Sequence, residues 1–149
     1  MEVMKMGKEQ FAGKFRELEE EYEKVQNRLS RCRKSSHETI RQEMREIFSE
    51  IQKDEQALRE QAENGKSPAI AALSGAQLRY QEEMKRLLKD KLPGYLHGEG
   101  NCVAEDEAEA AMLYAEYAID FAAQGMRQAI FAALSAADLE MNYEEGKNG

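Results

Sequence analysis

An all-α fold, an antiparallel up-down-up-down bundle of four long helices, is what the sequence predicts, and three observations predict it. Apolar residues recur at helical spacing through most of the 149 residues. Only two prolines interrupt the chain, tryptophan is absent, and 34% of the residues are charged against 42% hydrophobic. That composition suits long amphipathic helices far better than a sheet sandwich. The breaks between periodic stretches also carry the chemistry that ends one helix and starts the next. A chain of this length can bury most of its apolar surface, so residues 1–149 are read as a single domain.

The first helix is placed at 8–34. Phe11, Phe15, Leu18, Tyr22, Val25, Leu29 and Cys32 alternate at gaps of four and three. That is the apolar seam of a helix that packs in coiled-coil fashion. A second seam, Ile40, Met44, Ile47 and Ile51 and then Leu58 and Ala62, places the next helix at 36–64. Between them Ser35, with Glu38 three residues on, has the form of a capping box. No Gly or Pro forces a break there, and one continuous helix with a stutter is the alternative.

The next break is sharper. Asn64-Gly65 ends a helix, Ser67 is placed to cap its successor, and Pro68 fits the first helical position. Ile70, Leu73, Gln77, Tyr80, Met84 and Leu87 then carry a third helix over 68–92, and Lys89 and Lys91 suit the negative end of its dipole. A glycine-rich connection over 93–103 follows, and "EDEAE" opens a fourth helix over 104–141. This helix is alanine-rich and apolar nearly all round, with Glu109, Glu116, Asp120, Gln124 and Arg127 in one narrow polar stripe. Such a helix is expected to be buried, its stripe included, with partners for each charge. Its length of about 55 Å exceeds the roughly 40 Å of its neighbours. A homodimer through the apolar end at Phe131, Leu134 and Leu139 would cover the excess.

Charge is unevenly placed. Residues 1–91 carry 19 Lys/Arg against 18 Asp/Glu, whereas residues 92–149 carry 2 against 11. The acidic final third argues against nucleic-acid binding. Arg28 to Arg45 holds six basic residues against two acids, but no aromatic residue lies inside that window to stack on a base. The longest charge-free run of the apolar region is Gln128 to Ala137, short of the about 20 residues that span a membrane. The start "MEVMKMGKEQ" lacks the apolar core of a signal peptide, and a cytoplasmic location is expected.

Short links favour antiparallel neighbours, which sets the 33–37 turn, the 93–103 loop and the acidic start of the last helix at one end. Arg31, Arg33, Lys34 and Arg41 would then face Glu105, Asp106 and Glu107. Cys32, His37, His97 and Cys102 would gather there too, and Cys₂His₂ is a standard zinc set. Neither pair has the common C-x2-C or H-x3-H spacing, and Cys32 equally reads as a small apolar member of the seam.

Three further chemistries find partial matches in the sequence. Cys32 among Arg31, Arg33, Lys34 and His37 could be an activated thiol, although neighbours on a helix point in different directions. "SHETIR" resembles the phosphorylated box of histidine kinases over six residues, without its proline. A ferritin-like di-iron site needs Glu-x-x-His, and Lys34 and Gly94 stand three before the two histidines. No phosphate loop, nucleophile elbow or catalytic carboxylate pair is present.

The stretch "ENGKSPAIAALSGAQLRYQEEMKRLL", a sixth of the chain, resembles the small helical regulators of the YlbF and YmcA type. That resemblance implies a non-catalytic subunit of a regulatory complex. From the exposed Glu, Lys and Arg faces and the apolar dimer end, the function expected is a non-enzymatic interaction, scaffold or regulatory module acting as a homodimer, with no cofactor. A zinc-stabilised regulator and a Cys32-centred thiol enzyme or redox sensor are the alternatives.

Overall fold

The structure is a computed structural model that describes residues 8–148, with side chains from Phe11 to Lys147. All regular structure among the described residues is helical. The elements are α1 (Lys8–Cys32), α2 (His37–Asn64), α3 (Pro68–Arg86), a π turn (Leu87–Lys91), α4 (Leu92–Leu96) and α5 (Val103–Asn148). Four long helices make up the fold, with α4 a short continuation of the third. No helix among the described residues is long and apolar enough to cross a membrane.

The chain does break after Cys32, but not through a capping box. The N–H groups of Arg33 and Ser35 donate to the carbonyls of Ser30 (3.4 Å) and Cys32 (3.3 Å), and the Ser35 hydroxyl donates to the carbonyl of Arg31. Ser35 thus closes the open carbonyl end of α1 instead of capping α2, which begins at His37. Glu38 reaches down its own helix to Arg45 Nη2, 3.2 Å away.

At the other end of α2 the cap lies where its residues indicate. Ser67 is extended (φ −119°, ψ 131°), its Oγ accepts from the N–H of Ala69, and Pro68 follows. The third helical stretch runs further than its seam predicts. Pro93 has no N–H to donate, and its ring would crowd the carbonyl of residue 89 in a regular α-helix. A wider turn over Leu87–Lys91 makes room. There the Leu92 N–H bonds the Leu87 carbonyl five residues back, and helix continues to Leu96.

The chain divides into two compact units, where the sequence predicts one domain. One comprises residues 37–118. In it α2 and α3 pack against each other with opposite sense, for Gln61 meets Ser74, Arg59 meets Glu82, and Glu55 meets Lys85. Leu78 and Ala110 are its buried apolar residues, Ser74 and Asp106 its buried polar ones. Ser74 is satisfied there by donating its hydroxyl to Gln61 Oε1 at 3.0 Å.

The other unit comprises residues 1–36 and 119–149, with α1 and the later part of α5 as its described elements. Phe11, Phe15 and Leu18 of α1 line one open groove of about 890 Å³ together with Ala129, Ala132 and Ala136 of α5.

The expectation of a buried last helix is corrected. Met112, Tyr117, Ile119, Phe121, Met126 and Ile130 on α5 are all exposed. A helix apolar on every side needs neighbours on every side, and α2 and α3 cover one another. The polar stripe is not buried either: Glu109, Glu116, Asp120, Gln124 and Arg127 are each exposed, so their charges need no buried partners.

Candidate functional site

The best-built polar cluster lies in the loop between α4 and α5. His97 ends α4 in an extended conformation (φ −64°, ψ 126°), its N–H bonded to Gly94 O at 3.3 Å. Gly100 then takes φ +84°, a left-handed turn that costs glycine little. The Asn101 N–H closes that turn onto Gly98 O at 3.2 Å, and the Asp106 N–H bonds Cys102 O at 3.2 Å as α5 opens.

The chain reversal brings three side chains together. Asp106, 6% exposed, holds His97 Nδ1 with Oδ2 at 2.5 Å and accepts from Asn101 Nδ2 with Oδ1 at 3.3 Å. A carboxylate can only accept, so Nδ1 carries the shared hydrogen, on a ring that is largely exposed. The carboxylate also sits in the first turn of α5, where the helix dipole favours negative charge. This arrangement fastens a loop to a helix and fixes one imidazole tautomer.

The four Cys and His residues that the sequence would bring together are placed as follows. Cys32 is half-buried at the end of α1, His37 is exposed at the start of α2, and Cys102 is exposed at the start of α5. Both thiols are free. Among the described residues no group of three or more His, Cys, Asp or Glu side chains is arranged to hold a metal ion. The Nδ1 of His97 meets Asp106, a partner that the sequence does not indicate for it. Asp106 in turn engages both His97 and Asn101.

Apolar faces are the other candidate. Phe131, Leu134 and Leu139 are all exposed near the end of α5, and so is the middle of the α1 seam, from Leu18 through Tyr22 and Val25 to Leu29. On α2, Ile40, Met44, Phe48 and Ile51 are exposed as well. Large apolar side chains repeated along one helix face mark interaction surfaces when no part of the chain covers them. The groove between Phe11, Phe15 and Leu18 on one side and Ala129, Ala132 and Ala136 on the other was missed from sequence. Its signal was the small-residue spacing of those alanines, which admits a close neighbour. Compared with family models, curated proteins and solved structures, the chain matches none.

Proposed function

We propose that the chain is a non-enzymatic helical interaction module, a scaffold or regulatory subunit that works as a homodimer. The observation that carries this reading is the outward display of apolar side chains on α5, with Phe131 73% exposed and Leu134 and Leu139 beside it. Burying one such side chain contributes roughly 1.5–3 kcal/mol, so an uncovered set is a strong drive to associate. The narrow polar stripe leaves most of the circumference of α5 for contact. A cytoplasmic setting fits the two free thiols.

Sedimentation equilibrium tests the reading directly. The chain is expected at twice its own mass at micromolar concentration, and Leu134→Asp is expected to shift it to monomer while its helical circular dichroism persists. A strictly monomeric chain at high micromolar concentration would sink the proposal.

A further inference from the structure

We infer that α1 docks antiparallel on α1 of a second copy, so that the Val25–Cys32 half of each lies in the groove of the other. The groove is the one between Phe11, Phe15, Leu18 and the alanines of α5. This rests on the reading that the chain self-associates and adds the face, the direction and the register.

Three observations converge on it. The first is exposure, since the α1 seam is uncovered from Leu18 to Leu29, the latter 62% exposed. The second is register. Phe15, Leu18, Tyr22, Val25, Leu29 and Cys32 follow one another at gaps of 3, 4, 3, 4 and 3, a series that reads the same in both directions. A two-fold axis between Tyr22 and Val25 therefore lays the seam on its own reverse. Phe15 then meets Cys32 of the second copy, Leu18 meets Leu29, and Tyr22 meets Val25. Layers of this kind are how two apolar seams interlock.

The third observation is charge. From Glu17 to Glu23 there are five carboxylates and no cation, and from Lys24 to Lys34 five cations and no carboxylate. Antiparallel docking sets each acidic half beside a basic half, whereas parallel docking sets like beside like. The groove repeats the pattern, because Glu17, Glu20 and Glu21 outnumber Lys14 on its α1 wall and the docking segment carries Arg28 and Arg31. In this register Glu21 and Arg28 of the second copy flank the seam on the same side, and the two-fold axis makes that pair twice. Within one chain Glu21 pairs with Lys24, 3.1 Å away.

A charge swap and a cross-link test the register in the full-length chain. At low salt Glu21→Arg or Arg28→Glu alone is expected to raise the dimer dissociation constant about 3- to 30-fold. The double variant is expected to recover it to within about threefold of wild type. In a Cys102→Ser background, mild oxidation of Phe15→Cys is expected to join position 15 to Cys32 of the second copy, a link too long to form within one helix. Should Phe15→Cys not fold, the swap decides alone, for Glu21 is exposed and Arg28 only half-buried.

Covalent dimers of Cys102→Ser alone, joined Cys32 to Cys32, would mean parallel docking and would overturn the inference. A dimer with neither the 15–32 link nor rescue by the swap would overturn it as well, leaving the interaction-module reading in place. A monomer would overturn both. If the link forms and Leu134→Asp leaves the dimer intact, the α5 interface alone is lost and the α1 docking stands.

Discussion

Asp106 holds two side chains of one loop with its two oxygens, and it is nearly shielded from water. Asp106→Ala leaves His97 and Asn101 without their acceptor and removes a favourable charge from the start of α5. Urea denaturation is expected to show a loss of about 1–3 kcal/mol. His97→Ala should cost less, about 0.5–1.5 kcal/mol, because its ring is largely exposed and water can replace what it loses. Equal and negligible effects from both would contradict the fastening role. The residues of this cluster are conspicuous in the sequence, but their partnership is not. It depends on a reversal at Gly100, and the positive φ there brings residues nine apart into contact without any periodic trace.

The α2–α3 hairpin is where local chemistry speaks most clearly. A methyl group added at Gly65 would stand 2.3 Å from the carbonyl oxygen of Gln61, so backbone has to move. Gly65→Ala is expected to destabilise the chain by about 1–3 kcal/mol. Ser67→Ala, which removes the acceptor for the Ala69 N–H, is expected to cost about 1 kcal/mol. Thermal melts followed by circular dichroism check both, and a neutral Gly65→Ala would show that the turn reshapes freely. Asn64-Gly65 and Ser67-Pro68 made this boundary legible because each residue acts on its immediate neighbours.

Ser35 misled for a related reason: a serine hydroxyl serves a helix end on either side of it, and here it serves α1. The π turn escaped notice because Pro93 reads as a stop signal. A single widened turn is enough to absorb its ring.

At the scale of the molecule the helices were legible and their burial was not. Periodicity tells which face of a helix seeks cover, and nothing in it tells whether cover comes from the same chain. That is why α5 reads as a core helix and stands exposed instead. If a second copy supplies the cover, stability has to depend on concentration. The melting temperature is expected to rise by roughly 3–6 °C over a hundredfold increase in chain concentration. A melting temperature that holds constant over that range would place the stability within the single chain.

The alanine wall of the groove carries a consequence of its own. Methyl groups have no rotamers to surrender, so a surface of Ala129, Ala132 and Ala136 loses almost no freedom when something settles on it. Contour, more than side-chain chemistry, then decides what can settle there. By the same logic a leucine grown from position 132 would plug the hollow from within and shut out any visitor.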